Sequence, residues 1–258
     1  MTVTDKRTKQ TAPGKVEYAP RYERKFFIVP KNIGLAYATL REVCRLDREY
    51  PECEVNSLYF DTPDLEQYER SESGDFWKQK VRIRWYDQPG SNQKAVPVFL
   101  ELKSREGFAS SKKRRRFLVP SRHLELVNLH EGIVDNNIRV DTLAEFGLFP
   151  ARPLKPVILI RYLRYRFSEI LTGIRVSFDY SIVSTIVASN LGYGELNLSL
   201  EGGVIEVKGP TLELPVMLRR LKVLDLDWSR FSKYGQCIEA HLSQPGSIAR
   251  SWPSGRTP

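Results

Sequence analysis

The sequence predicts an α+β fold, mainly antiparallel β, in which an eight-stranded closed β-barrel has its helices packed outside. Three observations predict it. Runs rich in Val, Ile, Phe and Tyr outnumber helical patterns, the residues in those runs alternate between long charged and apolar side chains, and the charges are mostly positive. A strand repeats every second residue, so each run has one charged face and one dry face.

The elements follow in chain order. Residues 1–17 are polar and lack periodicity, which predicts a disordered tail. RKFFIV (24–29) is the first strand. After Pro30, residues 31–49 place Ile33, Leu40, Val43, Cys44 and Leu46 at near-helical spacing. NSLYFDT is a strand ending in Asp61, and Asp followed by Thr and Pro reads as a turn or helix cap rather than a metal ligand. A short helix over 64–71 precedes the strands KVRIRWY, VFLELKS and KRRRFLV, and short helices over 121–131 and 141–147 follow them. Three more strands, VILIRYLRYRFS, IRVSFDY and VIEVKG, lead to closing helices at Leu212–Leu221 and Ser232–Leu242. The tail 243–258 is rich in Ser, Pro and Gly, so the folded domain is expected over 18–242. His123, His130 and His241 fall in these helices and read as surface residues, while Trp77, Trp85, Phe99 and Phe178 read as core.

Composition narrows the setting. At 258 residues the chain can fold as one large domain, and its formal net charge of +9 calls for an anionic partner. The three cysteines, Cys44, Cys53 and Cys237, are odd in number and without CxxC pairing, which fits a reducing, cytoplasmic home. No apolar run approaches the roughly 18 residues of a membrane span. There is no GxxxxGK[ST] phosphate loop.

The charged rows carry the functional reading. They comprise Glu23 and Lys25; Lys80, Arg82 and Arg84; Glu101, Lys103 and Arg105; Lys112, Arg114 and Arg116; Tyr162, Arg164 and Arg166; Arg175, Ser177 and Asp179; and Glu206 with Lys208. Rows facing solvent would mix their signs more evenly. An open basic sheet for nucleic acid or a barrel with a charged lumen could both use the pattern, and the helices available to cover the apolar rows favour the barrel. Such a lumen repels itself unless an anion fills it, and a chain of phosphates suits Arg forks and Lys point charges. The few carboxylates, Glu23, Glu101, Asp179 and above all Glu206, suit a hard divalent cation that also bridges phosphate oxygens. Trp85, Phe99 and Phe178 are read as lying opposite the cations, which leaves no stacking platform for bases, so nucleic acid is not expected as a partner.

RYERKFFIV, NSLYFDT, KVRIRWY, FLELK, RVSFDY, IEVKG and FSKY, in this order, resemble the VTC domain of polyphosphate polymerases, a branch of the CYTH-like triphosphate tunnel metalloenzymes. The resemblance covers about Tyr18 to Leu242. It implies an eight-stranded tunnel that binds triphosphate, uses Mn²⁺ or Mg²⁺, and extends polyphosphate from ATP, with orthophosphate or polyphosphate as acceptor. By position, the implied catalytic cations are Lys25, Arg82, Arg84, Lys103, Arg164, Arg175, Lys208 and Lys233. Lys112, Arg114, Arg116, Tyr162 and Ser232 match phosphate-binding positions, and Glu206, with Glu101 and Asp179, the metal ligands. The related cyclase and thiamine triphosphatase branch opens with Glu-x-Glu-x-Lys, whereas this chain reads Glu23, Arg24, Lys25, nearer the polymerases. Three functions remain open at this stage: a polyphosphate polymerase, a triphosphate or polyphosphate hydrolase of the same fold, and a non-catalytic polyphosphate-binding module.

Overall fold

The computed structural model describes residues 22–87, 94–107, 109–191, 197–211, 213–224 and 231–244. The tails expected at 1–17 and 243–258 lie outside these residues, apart from Ser243 and Gln244, as does Leu212 of the first closing helix.

The strands are β1 (Tyr22–Ile28), β2 (Cys44–Leu46), β3 (Glu52–Asp61), β4 (Trp77–Asp87), β5 (Ala95–Glu106), β6 (Ala109–Pro120), β7 (Lys155–Glu169), β8 (Arg175–Ile186) and β9 (Asn197–Gly209). The α-helices are α1 (Ile33–Val43), α2 (Glu66–Glu72), α3 (Asn136–Glu145) and α4 (Lys233–Leu242). Tight 3₁₀ segments fill Ser121–Leu124, Leu126–Glu131 and Met217–Leu224, where helices were expected. The helix expected to reach residue 49 stops at Val43, because Cys44 turns extended (φ −134°, ψ 152°) and β2 pairs with β7.

All the strands belong to one antiparallel sheet, in the order β1-β9-β8-β7-β3-β4-β5-β6 with β2 against β7. The expected closure does not occur. β1 pairs only with β9 and β6 only with β5 among the described residues, so the barrel is an open, strongly curved sheet. In a flat sheet β1 and β5, six neighbours apart, would stand roughly 29 Å from each other at about 4.8 Å per strand. Yet Lys103 Nζ of β5 lies 2.9 Å from Glu23 Oε2 of β1, a distance that only curvature can produce. Side chains rather than backbone hydrogen bonds span the gap, and most of the cationic row of β6 stays in solvent instead of being confined under a closing strand.

Two apolar clusters cover the convex face. One packs Leu58, Phe60, Val81, Ile83, Trp85, Leu100 and Leu102 under Leu129, Ile133 and Leu143 of the α3 region; the other packs Phe26, Phe167, Phe178, Ile205 and Val207 under α1 and the 217–224 segment. Trp77, expected in the core, is exposed at the start of β4 beside Phe76, since it precedes the alternating stretch that the helices cover.

The third cluster lies inside the curve. Tyr234, Cys237 and Ile238 of α4 pack on Val55, Tyr59, Ile158, Ile160, Tyr162, Ile182 and Val204 of the concave face, so α4 plugs one half of the trough. This burial takes His241 with it, correcting the surface assignment: its Nε2 sits 3.0 Å from Ser184 Oγ, and the residue is 5% exposed. Asp61 behaves as a cap. Its carboxylate accepts from the backbone N–H groups of Thr62, Gln67 and Tyr68, which leads the chain into α2, and from Tyr234 Oη at 2.6 Å. That last bond ties the plug to the sheet between two buried groups. Replacing Tyr234 by Phe leaves the carboxylate short of a partner and is expected to cost about 1.5–3 kcal/mol, read from urea denaturation.

Candidate anion-binding trough

Register decides which side chains share the concave face. Glu23 pairs with Lys208 and Lys25 with Glu206 across β1 and β9; Lys80 pairs with Lys103, Arg82 with Glu101, and Arg84 with Phe99 across β4 and β5; Lys112 and Arg114 lie opposite Lys103 and Glu101. Arg164 pairs with Asp179 across β7 and β8. The alternating charged rows read from the sequence therefore meet on one surface, half of which α4 closes.

The buried carboxylates act as clamps for guanidinium groups. Glu101, fully buried, accepts from Arg82 Nε and Nη2 at 2.8 and 2.7 Å and from Lys112 Nζ at 2.5 Å, while Arg82 Nη1 donates to Tyr59 Oη. Asp179, also fully buried, accepts from Arg164 at 2.6 and 2.7 Å and from Lys233 Nζ at 2.6 Å. Burial alone would raise both carboxyls, but the adjacent cations outweigh it, holding Asp179 down to about 2 and Glu101 well below the usual carboxylate range. Arg84 is held without a carboxylate, by Ser57 Oγ at 3.1 Å and Tyr162 Oη at 3.2 Å.

A second group gathers near β1 and β9. Lys208 Nζ stands 3.2 Å from Glu206 and 3.5 Å from Glu23, and Lys103 completes the cluster through Glu23. Desolvation opposes the charged form of Glu206, yet Lys208, Lys25 and Arg164 hold its carboxyl well below the usual carboxylate range. Among the described residues no three His, Cys, Asp or Glu side chains come together as a metal cage. The expected ligand set is thus divided: Glu101 and Asp179 are each committed to two cations, and the carboxylate beside Glu206 is Glu23. Two hard carboxylates with open positions suit Mg²⁺ or Mn²⁺ that takes its other oxygens from phosphates and water, so the pair fits the implied cation.

Among the described residues, two lysines of the trough, Lys25 and Lys80, have no carboxylate within ion-pair distance. Lys25 Nζ donates to the Phe231 carbonyl at 3.2 Å, and Lys80 Nζ to Ser232 Oγ at 2.7 Å, while Ser232 also caps α4 by accepting from Gly235 N–H. Desolvation presses Lys25 down to about 8 against the opposing pull of Glu206, and desolvation with neighbouring cations presses Lys80 down to about 7. For Lys80 those neighbours are first Lys25 and Lys103, so the crowding expected from the sequence is present.

Most of the expected site residues come together here: Lys25, Arg82, Arg84, Lys103, Lys112, Tyr162, Arg164, Glu206, Lys208, Ser232 and Lys233. Arg175 and Arg116 lie exposed on the rim, and Arg114, also exposed, rests 4.0 Å over the Phe99 ring. Phe99 is a correction. It has the parity of Glu101 and Lys103, so it lies on the charged face rather than opposite the cations. Lys80 was missing from the expected phosphate set, although its alternation with Arg82 was the available signal, and Glu23, read among the carboxylates that suit a cation, was absent only from the positions the resemblance implies.

Residues 20–242 match the family model described as the VTC domain. No curated protein matches the chain. Among solved structures, a candidate adenylate cyclase from Bacillus halodurans superposes with a TM-score of 0.51 at 16% identity, over 83% of this chain and 94% of that one. A candidate adenylate cyclase from Vibrio parahaemolyticus gives 0.42 at 11% identity, over 85% and 98%. The chain belongs to the VTC domain family, and its fold is that of the triphosphate tunnel proteins.

The depressed lysines give a pH test. Below about 7 the folded protein bears the full cost of charging Lys80, and that cost is relieved as pH rises from there toward the ordinary lysine value of 10.5. The melting temperature of the ligand-free protein is therefore expected to rise between pH 6.5 and 8.5. Lys80→Met should raise it at pH 6.5 and flatten the slope; an unchanged slope would remove Lys80 from the crowded cluster.

Proposed function

We propose that this VTC-domain protein is a metal-dependent phosphotransferase that holds the phosphates of ATP in the trough and passes the terminal phosphate to orthophosphate or a growing polyphosphate chain. The observation that supports this most directly is the charge imbalance of the concave face. At least nine cations, Lys25, Lys80, Arg82, Arg84, Lys103, Lys112, Arg164, Lys208 and Lys233, share it with four carboxylates, Glu23, Glu101, Asp179 and Glu206. A polyanion is the ligand that relieves the surplus.

The division of labour follows from the hydrogen bonds. Glu101 and Asp179 orient Arg82 and Arg164, so these forks need no reorganisation to grip phosphate oxygens. Lys25 and Lys80 can turn from the α4 end toward an incoming phosphate, and their charge is then neutralised rather than opposed, while Lys233 stays beside Asp179. Glu206 with Glu23 would hold Mn²⁺ or Mg²⁺, which supplies further neutralisation of phosphate charge. In the transfer, an acceptor phosphate oxygen bonds to the terminal phosphorus while the bond to the bridging oxygen breaks and ADP leaves. Catalysis of this kind is positioning and charge stabilisation, with no protein nucleophile.

Incubation with ATP and Mn²⁺, with and without a short polyphosphate primer, tests the reading by sizing the products on a gel. Chains longer than the primer support it; release of orthophosphate alone identifies a hydrolase of the same trough; no turnover leaves a binding module. Glu206→Gln is expected to abolish turnover while ATP binding stays within about tenfold, because the cations still hold the phosphates. Full activity in that variant would take Glu206 out of the metal site.

A further inference from the structure

Among the described residues no strand pairs with the outer edge of β6, and its side chains sort into two rows. Lys113 and Arg115, opposite Leu102 and Leu100, belong to the convex side, where the end of α3 takes them up: Lys113 Nζ donates to the Phe146 carbonyl at 2.6 Å and Arg115 Nη1 to Glu145 at 3.0 Å. Lys112, Arg114, Arg116 and Leu118, opposite Lys103, Glu101, Phe99 and Pro97, form the other row. Lys112 is held by Glu101. Arg114 and Arg116 are exposed and have no carboxylate within ion-pair distance among the described residues, and Leu118, next along the row, is 63% exposed. The Phe99 ring 4.0 Å beneath Arg114 steadies its guanidinium without neutralising it.

We propose that the outer edge of β6 takes up an extended acidic segment of a partner protein as one further strand of the sheet. The backbone supplies the affinity, because an edge strand turns alternate N–H and C=O groups outward and an extended chain beside it satisfies them in succession. The exposed row supplies the selection. Arg114 and Arg116 are alternate residues, so their Cβ atoms are about 7 Å apart, which is also the spacing of alternate side chains on a pairing strand. The complementary segment therefore carries carboxylates at two alternate positions and an apolar side chain at the next, opposite Leu118. Arg forks hold carboxylates by paired hydrogen bonds, which adds direction to the charge. Pro120 ends the edge, since it has no N–H to offer. The chain's own flanking sequences do not complement this row: residues 1–21 carry five Lys or Arg against two Asp or Glu, and 245–258 carry two Arg and no acid. Phosphate chains could meet the same guanidinium groups, but they bring no amides to pair.

A labelled seven-residue peptide that alternates Thr with Glu, Glu and Val is the probe, titrated by fluorescence polarisation beside the same peptide methylated on its backbone nitrogens. The parent is expected to bind, and methylation, which leaves the charge unchanged, to weaken binding at least about tenfold through the loss of several backbone hydrogen bonds. Hydrogen exchange of the β6 amides should slow with the parent alone. Equal binding of the two peptides means that the rim attracts acidic chains by charge only and overturns the strand site, as does a parent that fails to bind. The double variant Arg114→Glu with Arg116→Glu should release the parent and bind instead the peptide in which Lys replaces both Glu, an exchange that also shows the variant to be folded. A double variant that keeps the parent peptide, or that does not take the Lys peptide, overturns the selection by this row.

Discussion

The structure depends on one constraint: cations outnumber carboxylates on a concave, partly dry surface, and each strongly buried carboxylate must serve more than one of them. Glu101 is shared by Arg82 and Lys112, Asp179 by Arg164 and Lys233, and Lys208 bridges Glu23 and Glu206. A buried ion pair of this kind adds little to stability, since desolvation offsets the Coulomb gain. Its effect is on orientation. The forks are held in one orientation by their carboxylates, and the apolar convex face supplies the folding energy that this arrangement does not.

The plug helix follows from the same constraint. A trough lined by charge along its whole length would stay wet, but α4 fills one half with Tyr234, Cys237 and Ile238 against Val55, Tyr59 and Tyr162. Its N-terminal end carries Ser232 and Lys233 to the boundary between the dry half and the charged half, where Lys80 and Asp179 meet them. The stack of Tyr59 on Tyr234, at 4.8 Å, marks that boundary, since Tyr59 also accepts from Arg82.

Much of this was legible in the sequence because strand alternation is a strict period. KVRIRWY alone assigns Lys80, Arg82 and Arg84 to one face and Val81, Ile83 and Trp85 to the other, and the register of the sheet agrees. The same rule, applied to VFLELKS, places Phe99 with Glu101 and Lys103, and its aromatic character hid that placement. What the period cannot encode is how far a sheet curves before its edges meet, so the expected closed barrel is open between β1 and β6. Nor does local spacing reveal that α4 lies inside the curve, which is why His241 is buried and why Lys25 finds the Phe231 carbonyl 206 residues away. Of the carboxylates, Glu206 stands beside Glu23, whereas Glu101 and Asp179 each accept from two cations, pairings that strand alternation alone does not specify.

The open edge has a consequence for how molecules of this protein meet one another. A free β-strand is a template for pairing with another chain, and β6 is such a strand over twelve residues. Its run Lys112, Lys113, Arg114, Arg115 and Arg116 puts a positive charge on both sides of the ribbon, so two copies approaching edge to edge bring like charges together at every step. Self-repulsion thus does for β6 what closure would do for a barrel. Added salt screens such repulsion, so the tendency of two copies to pair along this edge is a function of ionic strength.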